Sequence, residues 1–520
     1  MQRRSLILGA AAALARPAIA QPANRVLRFV PQANLANPDP VWTTTIVAAN
    51  HAYMIWDTLW GLDESLTPQP QMLEGAETSD DRLTWRLTLR EGLFWHDNEP
   101  VRPADCIASL ARWMKRDGMG QRIATQLAEM RPLDDHRFEI RLTRPFPLLP
   151  LALGNACFMM PERMARTDAF QQITEYVGSG PFRFVRDEWV SGSRAVYARF
   201  DRYRPREEAP SFTAGGKRVN FDRVEWQITG DPATAAAALQ KGEVDWVEQP
   251  LADLLPMLRR APGVVVESTD LLGSIGIIRF NHLHPPFNNP KLRRALLPAI
   301  DQRDFLAAVM GNETALTRTG VGIFAPGTPL ANDAGMEVLN GKRDLALARR
   351  LVAESGYKGE RVVLMAPTDF AVVNAIAQVT RGVCEAVGLN VEYVATDWGS
   401  LVTRRASREP VEKGGWSIFC TYGDGFSYST PAGHTALWGN GPKAWFGWPD
   451  SPRIEALRDA WFEAPDLRTQ QELARQIQQV ALEEVPFIPT GLWYQPIARR
   501  GNVAGILRAT RPIFWNVRKT

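Results

Sequence analysis

Cysteine and histidine are scarce in this chain, and no long stretch of it is apolar. Among 520 residues there are four cysteines, Cys106, Cys157, Cys384 and Cys420, and six histidines. The cysteines are far apart and form no C-x-x-C pair, so thioredoxin-like, zinc-finger and haem-attachment motifs are all missing. Each sits in an apolar segment and reads as a small buried hydrophobe. In an oxidising compartment the alternative is disulfide formation, with three possible full pairings. No G-x-S-x-G elbow and no H-E-x-x-H motif occurs, so the signatures of a serine hydrolase and of a zinc protease are absent. His282-x-His284 is the spacing that invites a metal ion. Two histidines without a third ligand nearby, followed by Pro285-Pro286, do not make a site, and no metal or cofactor is expected.

A large charge of either sign is missing as well. Lys and Arg number 60 against 57 Asp and Glu. Arg3 and Arg4 precede an apolar run over 6–15, and Ala18-Ile19-Ala20 supplies the small residues a signal peptidase reads, so 1–20 is expected to be a cleavable export signal. The run is about ten residues, short of the ~20 that span a hydrocarbon core. Arg3-Arg4-Ser5-Leu6-Ile7 also resembles a twin-arginine signal, leaving two export routes open. The first cysteine is Cys106, so no lipid-attachment cysteine follows the cleavage point. A chain free in the periplasm of a Gram-negative cell is expected, starting near Gln21. Removing 1–20 takes away Arg3, Arg4 and Arg16 and no acid, which leaves 60 − 3 = 57 bases against 57 acids. The sequence pI of 8.7 is thus largely a property of the export segment, and no nucleic-acid or anionic-membrane partner is implied.

What is present is a globular composition, 45% hydrophobic and 22% charged, long enough for two to four compact units on a prior of ~150 residues each. Disorder is expected only near 211–216. The 17 tryptophans are expected mostly in cores. Strands and helices alternate without internal repeats. Val26, Leu27, Phe29 and Val30 mark a buried strand ended by Pro31, and apolar spacing predicts a helix over 46–59. Residues 84–90 alternate as a half-buried strand, with a short continuation at Phe94-Trp95-His96. Further helices are predicted over 106–114, 234–240, 291–300, 345–354, 375–387 and 472–484. Strands are predicted over 137–142, 195–198, 224–228, 244–247, 361–365, 390–394, 416–420 and 487–493, and Gly178-Ser179-Gly180-Pro181-Phe182 opens a further one. Helix, glycine, strand is the joint of an α/β unit, as at Gly242 and Gly388.

Several segments in order resemble one family. They are Thr84-Trp85-Arg86-Leu87-Thr88-Leu89-Arg90-Glu91-Gly92 with Phe94-Trp95-His96-Asp97, then Pro103-Ala104-Asp105 and Gly178-Ser179-Gly180-Pro181-Phe182. Lys241-Gly242-Glu243-Val244-Asp245 and Pro286-Phe287 with Arg293-Arg294-Ala295-Leu296 and Ala299-Ile300-Asp301 follow. Together they are similar to the extracellular solute-binding proteins, family 5, of ABC importers for dipeptides, oligopeptides and nickel. These motifs read mostly as scaffold: glycines at tight joints, Asp97 and Asp105 at turns and helix starts, Trp85 in a core.

The resemblance implies an α/β fold of the two-lobe periplasmic binding protein type (class II), with an extra α/β subdomain on lobe one. Carried over by segment, lobe one is 21–64, 176–281 and 486–520, the subdomain 65–175, and lobe two 282–485. It implies a monomeric, non-catalytic protein that closes on a small solute, peptide or peptide-like, and presents it to an inner-membrane ABC permease. An oligosaccharide, an opine or a nickel complex on the same scaffold, or a sensor role, stays open, as do more remotely a chaperone and a periplasmic hydrolase. In the peptide binders an acid following W-x-x pairs with the peptide ammonium, and alignment places Asp424 there. Thr421 stands where the family has Trp, Tyr422 is offset by one, and Gly425-Phe426 replaces the usual D-P. The segment 421–434 is the expected cleft wall, with Asp424, Tyr422, Thr421 and Phe426 in it. Trp398, Asn34 and His434 are further candidates. The turn-forming reading of Asp424 beside Gly425 stays open too.

Overall fold

Among the described residues the alternating pattern resolves into two large mixed sheets, a four-stranded antiparallel sheet and two antiparallel strand pairs. The structure, a computed structural model, describes residues 25–464 and 466–520. The expected export signal over 1–20, with Arg3 and Arg4, lies outside the described residues. Among the described residues no helix is long and apolar enough to cross a membrane.

The first sheet has seven strands in the order Val264–Glu267, Ile497–Arg500, Trp246–Val247, Val26–Val30, Arg223–Gln227, Arg194–Arg199 and Phe182–Phe184. Val26–Val30 lies at its centre, parallel to both Arg223–Gln227 and Trp246–Val247. The second sheet has six strands: Thr317–Arg318, Phe487–Trp493, Ser274–Phe280, Ile418–Asp424, Arg361–Pro367 and Asn390–Thr396. Arg361–Pro367 runs parallel to both Asn390–Thr396 and Ile418–Asp424. Every residue of Ser274–Phe280 is buried, as befits a strand covered on both faces. The subdomain sheet is antiparallel, in the order Leu73–Thr78, Thr84–Leu89, Arg137–Leu142, Leu127–Pro132. It docks through the helix Pro103–Trp113. From that helix Arg112 makes a bidentate pair with Asp39 at 2.7 and 3.1 Å, both side chains almost wholly buried.

The motif pairing His96 with Gly178-Ser179-Gly180 has a structural cause. Gly178 N–H donates to His96 Nδ1 at 3.1 Å, and His96 Nε2 faces the Gly180 carbonyl at 3.0 Å. The ring is therefore neutral, and burial lowers its pKa to about 4. A Cβ on Gly178 would lie 1.6 Å from the Ile55 carbonyl oxygen, so only glycine fits. That carbonyl ends the helix expected over 46–59 early. The helix is Ile46–Ile55, because Ile55 O accepts from Gly180 N at 3.0 Å and Trp56 turns extended.

Other expectations are corrected by the geometry. The helix expected over 291–300 divides into Pro290–Ala295 and a 3₁₀ turn Leu297–Ala299, since Pro298 has no N–H to continue it. Of Phe94-Trp95-His96, Phe94 is extended and bridges Pro100 in antiparallel fashion, and Trp95 closes the turn that follows, its N–H donating to Glu99 O at 2.8 Å. Residues 211–216 are packed rather than disordered: Phe212, Thr213 and Ala214 are buried, and Thr213 Oγ1 accepts from Leu62 N at 2.8 Å. The strand Phe487–Trp493 does not return to the first lobe. It pairs with Ser274–Phe280 in the second sheet, and Ile497–Arg500 makes the return. The chain therefore crosses between the sheets at 268–273 and 494–496, displacing the borders expected at 281/282 and 485/486. Asp270 ties the two crossings together, accepting from Gly273 N at 2.9 Å and Gln495 N at 3.4 Å. The four cysteines are free and buried.

Candidate functional site

In an open sheet with parallel strands, ligands gather beyond the carboxyl ends of those strands. In this chain the carboxyl ends of the parallel strands of both sheets meet between the lobes. On the first lobe Val26–Val30 is followed by Pro31-Gln32, and its parallel neighbour Trp246–Val247 by Glu248-Gln249. On the second lobe Ile418–Asp424 ends in Asp424, and its parallel neighbour Arg361–Pro367 leads to Asp369-Phe370.

Strand alternation puts Tyr422 and Asp424 on one face and Thr421 on the other. The Tyr422 hydroxyl donates to Gln32 Oε1 and accepts from Gln249 Nε2 at 2.8 Å, so it bridges the lobes. Its ring meets Phe370 and Trp493 edge-on at 5.9 and 5.2 Å. Asp424 is 4% exposed. Its Oδ1 accepts from Ser427 N and Oγ at 2.8 and 2.6 Å, which is the turn-forming role, and its Oδ2 accepts from Arg511 Nη2 at 2.7 Å. Arg511 reaches in from the C-terminal segment and lies over the Tyr53 ring, 5.1 Å from its centroid. One helical turn earlier stands Asn50, whose Nδ2 donates to Glu248 Oε1 at 3.1 Å. Glu248 Oε2 accepts from Gln32 N at 2.7 Å, and burial pushes the Glu248 carboxyl up to about 7.

These contacts, together with the strand shared by Tyr422 and Asp424 and the helix shared by Tyr53 and Asn50, form a ring between the lobes: Asn50, Glu248, Gln32, Tyr422, Asp424, Arg511 and Tyr53. Three of its polar atoms, or of atoms beside it, are buried without a hydrogen-bond partner: Asn50 Oδ1, Gln249 Oε1 and Arg511 Nε. Buried polar atoms are rarely left unpaired, and these three lie where the two lobes meet. Beside the ring a cavity of about 60 Å³ is lined by Gln32 and Gln249 on one lobe and by Asp369, Phe370 and Val372 on the other.

The remaining candidates disperse. Asn34 lies at the outer mouth, its Oδ1 accepting from Gly192 N at 2.8 Å. It lines an open depression of about 460 Å³ with Ser191 on its own lobe and Ser400 and Arg404 on the other. Trp398 is buried and packs edge-on against Phe370 at 5.2 Å, and Phe370, not Trp398, lines the cavity between the lobes. Phe426 is partly buried in the turn after Asp424, its carbonyl accepting from Ser429 N. His434 is fully buried, stacked on Tyr428 at 4.3 Å with Nε2 against the Ile323 carbonyl. It is a core residue and not part of the 421–434 wall. His284 Nε2 faces Arg408 O and His282 Nε2 faces Pro486 O, and no cluster of three or more metal-ligating residues occurs among the described residues. Sequence reasoning missed Glu248, Gln32, Asn50 and Arg511. The strand-end rule was available for the first two.

The family model for bacterial extracellular solute-binding proteins, family 5, matches residues 67–445. The chain belongs to this family. It is 37% identical to the probable peptide ABC transporter periplasmic-binding protein y4tO of Sinorhizobium fredii, over 100% of this chain and 99% of that one. Solved structures share the fold. The periplasmic binding protein DppA of Helicobacter pylori, in complex with the peptide STSA, superposes with a TM-score of 0.79 at 19% identity, covering 95% of this chain and 98% of that one. AgaA of A. tumefaciens R10, in complex with agropinic acid, gives 0.80 at 19% identity, with 95% and 99% covered. The fold is that of the two-lobe periplasmic binding proteins.

Proposed function

We propose that this protein is the periplasmic substrate-binding component of an ABC importer, that it holds a peptide or peptide-like solute between its two lobes, and that it hands the closed form to an inner-membrane permease. The observation that carries this reading is the ring of buried polar groups joining the strand ends of both lobes, with Asn50 Oδ1, Gln249 Oε1 and Arg511 Nε unpaired at it. A peptide's amides and termini offer the donors and acceptors such atoms need, and Tyr422, Phe370 and Trp493 supply apolar walls. In this reading Tyr422 and Asp424 belong to the site, Phe426 supports its wall, Asn34 sits at its entrance, and Trp398 and Thr421 act through packing. The protein works as a monomer, without cofactor and without catalysis, after removal of a cleavable signal.

A thermal-shift panel of dipeptides, oligopeptides, glutathione, opines, oligosaccharides and nickel tests the proposal. A ligand at a hundred times its dissociation constant stabilises the native state by ~2.7 kcal/mol. Melting shifts with a sugar or nickel alone, and none with any peptide, would overturn the assignment.

A further inference from the structure

The acid expected to meet a ligand's ammonium already has a cation. Asp424 Oδ2 is held by Arg511 Nη2 at 2.7 Å, with the two side chains 6% and 7% exposed, and Asp424 Oδ1 is held by Ser427 through two hydrogen bonds. A ligand ammonium arriving there would have to displace Arg511, and that residue is anchored. Its segment is fixed by Ala509 N–H to Thr269 O at 3.0 Å and by the buried side chains of Ile513, Phe514 and Trp515, and its guanidinium rests on Tyr53.

The other ring carboxylate is no better placed for an ammonium. Both Glu248 oxygens accept hydrogen bonds, from Gln32 N and Asn50 Nδ2, and burial disfavours its charged form, raising its pKa to about 7. Arg511, by contrast, has an edge to spare. Its Nε is buried and has no partner, and a guanidinium carries five donors in a fork that matches a carboxylate.

We infer that Arg511 is the specificity-determining residue of this cleft: it fills the ammonium position at Asp424 and offers its unpaired Nε–H to an anionic group of the ligand. The inference rests on the reading of the interlobe ring as the solute site. The accepted solutes then carry a carboxylate and do not need a free α-ammonium. N-acylated peptides and condensed amino-acid derivatives meet that description as well as free peptides do.

The test uses Ala-Phe and Ala-Ala-Phe, each free, N-acetylated and C-amidated, titrated calorimetrically into the purified protein. N-acetylation is expected to change affinity less than threefold, and amidation to weaken it at least tenfold. Arg511→Gln frees Asp424 and should reverse the order, so that the amidated peptides outbind the acetylated ones. Arg511→Gln/Asp424→Asn, which leaves no unpaired charge, should lose both preferences. A wild-type protein that loses the acetylated peptides tenfold while keeping the amidated ones would overturn the inference and leave the peptide reading standing. Failure of all six compounds to bind would refute the peptide reading and the inference with it.

Discussion

Replacing Glu248 by Gln should stabilise this protein at alkaline pH and leave it nearly unchanged in acid. Glu248 is 5% exposed, and its carboxyl is moved from an ordinary 4.5 to about 7, mainly by burial, with Gln32, Asn50 and Arg511 pulling it back. A folded-state pKa above the unfolded one means that the native protein holds the proton more tightly. The stability this contributes is complete below about 4.5 and is lost as pH rises through about 7. The shift of some 2.5 units corresponds to about 3 kcal/mol at ~1.4 kcal/mol per unit. Glutamine fits the site without the charge. Its oxygen can keep the Gln32 N–H, and its amide can donate to Asn50 Oδ1, which has no partner now, once the Asn50 amide turns over.

The assay is calorimetric melting of wild type and Glu248→Gln between pH 4.5 and 8.5. Per-residue unfolding entropies of ~2.1 cal/mol/K give ~1 kcal/mol/K for a cooperative unit of ~500 residues, so the melting points should separate by about 3 °C across this range. Comparing the two proteins at each pH cancels the other perturbed groups. Asp117 and Asp270, raised to about 6 by burial, titrate in both proteins. So do His51, His96 and His434, lowered by burial to about 3, 4 and 3. A separation that stays constant with pH would show that Glu248 is not a buried, proton-holding group, and the charge account of the ring would fail.

Tyr422→Phe removes the hydroxyl that joins Gln32 and Gln249 across the lobes. Two net hydrogen bonds of about 0.5–1.5 kcal/mol each should bias the ligand-free protein toward an open form, read as a larger radius of gyration in small-angle scattering. An unchanged radius together with unchanged ligand affinity would sink the bridging role. Lys217→Met strips the partner from Asp57, where the ion pair is 2.7 Å long and the side chains are 0% and 2% exposed. Breaking such a pair costs about 3–5 kcal/mol, whereas Lys217→Met/Asp57→Asn should recover much of the loss, and equal melting points for single and double variants would refute the pairing account.

The scaffold was legible because its signals are local. Asp344, Leu345 to Glu354 and the left-handed Gly356 mark a helix by cap, period and stop, and the observed Leu345–Glu354 agrees. The errors arose where a distant backbone decides. Ile55 ends its helix because Gly180 arrives from 125 positions away, and no periodicity within 46–59 encodes that arrival. Phe487–Trp493 has the same buried, apolar pattern whichever sheet it joins, so only its pairing with Ser274–Phe280 reveals its lobe. His434 follows Gly433 and is a site candidate on the sequence alone, but Tyr428 and Phe487 enclose it.

The site divides along the same line. Asp424 and Tyr422 could be found because the family resemblance places an acid there; the strand predicted over 416–420 stopped short of them, and only the observed Ile418–Asp424 shows the alternation that separates Thr421 from them. Arg511 stands in a segment without regular secondary structure, Ala509-Thr510-Arg511-Pro512, and its role comes from the fold bringing that segment to Asp424 across a separation of 87 residues. A family alignment finds the acid and cannot tell whether its charge is spent. Here Ser427 and Arg511 account for both oxygens, so the electrostatics of the pair, and not the presence of the acid, decide what the cleft can hold. A buried carboxylate that already has a guanidinium gains little from a second cation, while a guanidinium with an unmet donor still gains from an anion.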